Sequence, residues 1–264
     1  MLPRYIALPS SKLAICLAIL PLAIPVTYLL YTDRVISRQL KTATGLRDKK
    51  KRISTIPPDV PRPQTLPQEV ESDDDSECVL AYERIVSQPL PPSSLLRHNP
   101  PEYETDLPTV VNTYLRATMT AFSWTPQAFI LRASCAGDEA VKQTFDTPFI
   151  QNLKFCEGDR VNGFWRVVYR GEGRQRGAGG ERVEMALDAP AAYRGPLVKG
   201  VIVAGIEREG GDVVFVNETW MWRRQGEAPV LLERGVGKWL HVVLSGWLIM
   251  KGLRAVTVAR EKAA

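Results

Sequence analysis

Histidine is almost absent from this chain: His98 and His241 are the only two in 264 residues. A histidine-rich metal centre is thereby excluded, and neither a metal nor another cofactor is expected. Cysteine is nearly as scarce. Cys16, Cys78, Cys135 and Cys156 are scattered with no C-x-x-C pair, so neither a zinc knuckle nor a disulfide framework follows. No G-x-S-x-G nucleophile elbow, P-loop or dinucleotide fingerprint is present. The glycine-rich stretch 171–180 joins strand to strand, whereas a phosphate-cradling loop joins strand to helix; it reads as a hairpin tip. Net charge is only +5. The basic excess is concentrated in Arg34, Arg38, Lys41, Arg47, Lys49, Lys50, Lys51 and Arg52. A local cluster of that kind beside an apolar run suits anionic headgroups better than a nucleic-acid surface. No nucleic-acid partner is expected.

What the sequence does have is an ordinary globular composition, 45% hydrophobic and 24% charged, with three regions of different character. Residues 13–31 are almost unbroken apolar, close to the ~20 needed to span a bilayer. Basic residues dominate the C-terminal side of that run, which by the positive-inside rule places the rest of the chain in the cytosol. A cleaved signal peptide competes, but no clean small-x-small site follows. The expectation is therefore a single-pass membrane protein with a cytosolic C-terminal domain, residues 1–34 forming the anchor and the membrane being one partner. Residues 35–77 are basic, then proline-rich, then acidic, with Pro57, Pro58, Pro61, Pro63 and Pro67 ahead of Asp73, Asp74 and Asp75. That composition predicts a disordered linker. Residues 78–264 form the folded domain.

Within it, residues 79–86 read as a first strand. Asp106-Leu107-Pro108 starts a helix carrying Val110, Val111, Tyr114, Leu115, Thr118 and Phe122 at helical spacing. Thr125-Pro126 starts a second, with Phe129, Ile130 and Leu131. From Phe155 the period becomes two, in Trp165, Val167 and Tyr169 and again in Val183, Met185 and Leu187. Gly210-Gly211 then joins two β-type runs, 199–209 and 212–224, as a hairpin. Pairing outward puts Arg208 opposite Val213, Val203 opposite Glu218 and Val201 opposite Trp220. One hairpin face carries Val201, Val203, Val214, Val216, Trp220 and Trp222 around Glu218. The other carries Ile202, Ile206, Phe215 and Met221 beside Asn217, Thr219 and Arg223. Residues 237–259 predict a terminal helix, apolar on most sides, with a polar stripe through Lys238, His241, Ser245 and Gly252.

The fold expected is α+β: a curved antiparallel sheet of five to seven strands packed on a long C-terminal helix, preceded by two helices, with an N-terminal transmembrane helix. This order of elements, the F-x-x-G-D-x-V-x-G-x-W run at 155–165 and the Lys238-Trp239-Leu240-His241 helix start resemble the START-like helix-grip superfamily of birch-pollen-allergen proteins and polyketide cyclases. The resemblance spans about residues 78–259 and implies an apolar cavity between sheet and last helix.

A carboxylic acid buried without a cation stays protonated near neutrality. On that reading Glu218 is a catalytic acid or base, paired with His241 across the cavity, and Trp165, Tyr169, Asn217, Trp220 and Trp239 are ligand-binding residues. A solvated face or an arginine partner is the plainer reading of Glu218. The plainer reading of the tryptophans is core. The functional expectation is a membrane-anchored domain binding a hydrophobic small molecule, its enzymatic version being a cofactor-free cyclase or hydrolase of polyketide- or terpenoid-like compounds. The alternative is a non-catalytic scaffold whose aromatic strand face and apolar last helix bind a protein partner.

Overall fold

Gly210, with φ of 63°, turns the chain tightly enough for Lys199–Glu209 and Asp212–Arg224 to pair along their whole length, with Arg208 opposite Val213, Val203 opposite Glu218 and Val201 opposite Trp220. The computed structural model around this hairpin describes residues 11–58, 60, 62–71, 77–95, 107–135, 137–173 and 180–257, with side chains from Ile24 onward. Asp106, His98, Asp73 to Asp75 and most of the glycine-rich stretch lie outside the described residues.

In chain order the elements are α1 (Ser11–Gln39), β1 (Leu40–Asp48), β2 (Ile53–Ser54), α2 (Gln68–Glu71), β3 (Cys78–Ser87), α3 (Leu107–Ser123), α4 (Pro126–Ser134), α5 (Glu139–Gln143), α6 (Thr147–Asn152), β4 (Arg160–Val161), β5 (Trp165–Glu172), β6 (Glu181–Leu187), β7 (Lys199–Glu209), β8 (Asp212–Arg224) and α7 (Gly235–Val256). The strands form one open antiparallel sheet in the order β2-β1-β3-β8-β7-β6-β5-β4. Local chemistry accounts for several boundaries. Thr125 caps α4 by accepting a hydrogen bond from the Ala128 amide at 3.2 Å, ahead of Pro126 at a position that needs no donor. Asp138 caps α5 in the same way through Val141.

The fold departs from expectation in four respects. Among the described residues the sheet has eight strands, not five to seven, and four helices rather than two separate β3 from β4. Among the described residues no helix is long and apolar enough to cross a membrane, which overturns the transmembrane helix and with it the single-pass anchor and the cytosolic placement. The physical reason lies in α1, which runs on through Asp33, Arg34 and Arg38, buries Ile36 against Gly246 of α7 and passes directly into β1. Finally, the stretch 35–77 contributes β1, β2 and α2 where a disordered linker is predicted. Leu40 to Arg47 pair with β3 residue by residue.

The sheet has two covered faces. Val167, Val183, Met185, Ala204, Ile206, Phe215 and Ile85 face α3, α7 and the end of α1, and form the main core. Leu80, Tyr82, Val201, Val203 and Trp220 face the other way and are covered by Ile56, Val60, Leu66 and Val70. The proline-rich segment is thus a strap. Glu184, wholly buried on β6, fastens it by accepting hydrogen bonds from the amides of Gln64 (2.9 Å) and Thr65 (3.0 Å) and from the Thr65 hydroxyl (2.6 Å). Arg182 neutralises that carboxylate at 2.8 Å.

The link from β8 to α7 is fixed by a two-pronged pair, Arg223 Nε and Nη2 to the two oxygens of Glu233 at 2.6 and 2.8 Å. Burial pushes the Glu233 carboxyl up, but the bonds from Arg223 and the Val230 amide outweigh it, leaving it below its usual 4.5. A carboxyl depressed in the folded state stabilises above its unfolded pKa, and the benefit is lost as pH falls through the folded value. The wild type should therefore lose stability below about pH 4.5 faster than Glu233→Gln does, as read by urea midpoints at successive pH values. Parallel acid limbs would refute this.

Candidate functional site

Thr219 and Asn217 are alternate residues of β8 and so share a face, the one beneath α7. Their lateral neighbours on that face are fixed by register: Glu83 and Ile202 flank Thr219, and Ile85 and Ala204 flank Asn217. A cleft lies between this part of the sheet and the helices. Its outer chamber, about 210 Å³, is walled by Leu131, Phe164, Trp165, Tyr193, Met221 and their neighbours. Its inner chamber, about 60 Å³, reaches Met119, Phe122, Leu244 and Leu248. Gln127, Trp165, Ile202, Thr219 and His241 line both, so the two adjoin.

The outer chamber is mostly apolar, whereas the inner one is lined by Tyr114, Thr118, Gln127 and Ser245 as well as Asn217, Thr219 and His241. His241, on the second turn of α7, is joined through Nδ1 to Glu83 Oε1 at 2.9 Å and approaches the Ser245 hydroxyl at 3.3 Å. Glu83 is 1% exposed, and its second oxygen has no partner among the described residues. Asn217 lines the inner chamber, and its Oδ1 is buried with no hydrogen-bond partner among the described residues. Tyr114, fully buried at the chamber floor, has its phenol pushed well above the usual range by burial; its hydroxyl finds no hydrogen-bond partner among the described residues, the Thr118 hydroxyl donating to the Tyr114 carbonyl at 2.9 Å. Among the described residues no lysine or arginine lines either chamber. The arrangement can accept an apolar body and satisfy one polar group on it.

The residues singled out in the sequence are divided by the sheet. Glu218 is 2% exposed but points to the strap face, where it pairs with Arg84 and accepts from the Trp220 indole at 3.1 Å. Arg84 also holds Glu207 at 2.8 Å. Burial pulls the Arg84 guanidinium down, and the two carboxylates outweigh it and leave it above its ordinary value. An acid/base pair of Glu218 and His241 is therefore corrected: the sheet stands between them, and the carboxylate partner of His241 is Glu83. Trp220 is fully buried against Tyr82, ring centroids 4.4 Å apart, so its ring belongs to the strap-face core, and it meets the cleft only at the outer chamber's wall. A bulge between Val167 and Tyr169 shifts the register of β5. Trp165 consequently faces the cleft while Tyr169, opposite Glu184, turns to the strap side. Trp239 ties α7 to α1 by donating to Asp33 at 3.1 Å. Of the seven residues, His241, Asn217 and Trp165 are brought fully into one cleft. Glu83 was missed; the sequence signal for it is its position two residues before Ile85 on a strand face otherwise apolar, visible only once β3 is registered against β8.

The fold and site together define an α+β domain with an open eight-stranded antiparallel sheet and a two-chambered cleft under its C-terminal helix. Comparison with known proteins adds no relative: no family model, no curated protein and no solved structure matches this chain.

Proposed function

We propose that the protein binds a hydrophobic small molecule in the cleft between the sheet and α7. The observation that carries this reading is the buried Oδ1 of Asn217, without a partner among the described residues, at the inner end of a cleft whose outer chamber is walled mostly by apolar side chains. A buried carbonyl oxygen without a partner costs about 1–3 kcal/mol, and a bound molecule that supplies the missing hydrogen removes that cost. The helix-grip likeness of the element order supports the same reading, since a cavity under the last helix is what that resemblance implies. Cyclase or hydrolase chemistry through Glu218 is not part of the proposal, because Arg84 neutralises that carboxylate on the far face.

The reading is tested with the fluorescent probe N-phenyl-naphthylamine. Saturable enhancement is expected for the wild type. Leu244→Trp, which fills the inner chamber from α7, should weaken it by about tenfold or more, a loss of at least one decade in Kd, while the urea midpoint stays within the wild-type range. Equal probe binding by both proteins would remove the cleft from consideration. A protein-binding reading has one feature in its favour, the exposed Trp124 (69%), Phe129 (53%) and Ile130 (70%) at the α3–α4 corner. The aromatic strand face that suggested a scaffold is itself covered by the strap.

A further inference from the structure

The hydrogen-bonding groups at the inner chamber specify what kind of ligand fits, if the cleft is a binding site as proposed above. Among the described residues Asn217 Oδ1 is an acceptor that lacks a donor, and the Tyr114 hydroxyl at the floor of the same chamber is likewise buried without a partner. Thr219, two residues on along the same strand face, has a hydroxyl that can give or take a hydrogen. His241 has Nδ1 engaged by Glu83, which leaves Nε2 for whatever enters, and no partner for Nε2 is found among the described residues. The complementary group must donate to Asn217. A hydroxyl does so and also offers lone pairs to Thr219. A ketone, ester or ether oxygen cannot donate and would leave Asn217 Oδ1 as it is. A carboxylate or phosphate is disfavoured twice over: no lysine or arginine lines either chamber among the described residues, and the buried Glu83, with one oxygen unpaired, lies behind His241.

Size narrows the choice further. A cavity of about 150 Å³ holds one benzene ring. The outer and inner chambers, about 210 and 60 Å³, then together take roughly ten heavy atoms on the same scale, the inner one admitting the polar end. Trp165, which lines both chambers, offers a ring beside the place where that body would sit.

We infer that the ligand is an uncharged, hydroxyl-bearing apolar compound of about ten carbons, bound with its O–H directed to Asn217. The identity of the body, whether terpenoid alcohol or bicyclic phenol, is left to the apolar walls; the hydroxyl is what the site selects.

Three probes of matched shape separate this inference from the binding reading it rests on. β-Tetralol donates and accepts, β-tetralone only accepts, and tetralin does neither. Each is titrated against bound N-phenyl-naphthylamine in the wild type and in Asn217→Leu. β-Tetralol should displace the dye at roughly tenfold lower concentration than β-tetralone or tetralin, as expected when a buried acceptor is left unsatisfied by the poorer ligands. In Asn217→Leu the three should converge, with tetralin improved. A structural role for Asn217 alone would change stability without changing the ratio between ligands. If β-tetralone matches or exceeds β-tetralol in the wild type, the hydroxyl assignment is overturned while the cleft stands. If none of the three competes and Leu244→Trp leaves dye binding intact, the binding reading fails with it. The wild-type comparison needs no variant to fold.

Discussion

Arg84→Leu is expected to lose about 3–5 kcal/mol of folding stability, the usual cost of stranding a buried charge by deleting its partner. Arg84 bridges Glu218 and Glu207 on the strap face, and Glu218 is 2% exposed with the Trp220 indole as its other hydrogen-bond donor. Without the guanidinium the carboxylate would sit among Tyr82, Val203 and Trp220. The same physics predicts that Arg84→Leu combined with Glu218→Leu recovers most of the loss, because an apolar pair replaces the two buried ions and the carboxylate left over, Glu207, is 23% exposed and reaches water. Urea unfolding of the two singles and the double, treated as a cycle, checks both statements. A single-variant loss under about 1 kcal/mol would place the pair with exposed ion pairs and remove its structural role. Neither change touches the cleft, so dye binding by whatever fraction remains folded should be normal.

Gly252→Val should be nearly as damaging, for a steric reason. A Cβ at Gly252 would stand 2.5 Å from Tyr114 Cδ2 and 2.6 Å from Thr118 Oγ1, where α7 crosses α3. The Tyr114 ring cannot retreat. It is fully buried and packed against Phe215 at 4.9 Å. Overpacking of this sort costs typically about 1–3 kcal/mol, and valine, branched at Cβ, belongs at the upper end. Relief would come from sliding α7 off α3, and that helix carries His241, Leu244, Ser245 and Leu248 into the inner chamber. Lost dye binding is thus expected alongside the lowered urea midpoint. Wild-type values of both would refute a close crossing of α7 and α3 at Gly252.

The hairpin was the most legible part of the sequence because everything that determines it is local: two glycines, alternating side chains and no insertion. Its register therefore emerged residue by residue, and so did the two faces. Which face met the terminal helix was not local. Both faces of β7 and β8 are buried, so alternation carries no sign, and Glu218 was as plausible on the cleft side as Asn217. The strap decided it. Its apolar residues, Ile56, Val60, Leu66 and Val70, are spread thinly among prolines, and no periodicity marks them; several of their partners, Val201, Val203 and Trp220, lie more than a hundred positions away, as Glu184 does from Thr65. The β5 bulge defeated a simpler inference in the same way, since one extra residue sends Tyr169 to the face opposite Trp165. For α1, hydropathy of the run 13–31 invited a bilayer, whereas the burial of Ile36 depends on Gly246, a contact across most of the chain.

The place of β3 between β1 and β8 bears on where the chain could be shortened. The proline-rich and acidic composition before Glu77 suggests a natural boundary, yet a protein trimmed to begin there would lack β1. The amide and carbonyl row of β3 that now meets Leu40 to Arg47 would be open to solvent, with Leu80 and Tyr82 uncovered beside it. Bare edges of that length recruit other chains, so self-association, rather than a tidy minimal unit, is what such trimming would produce.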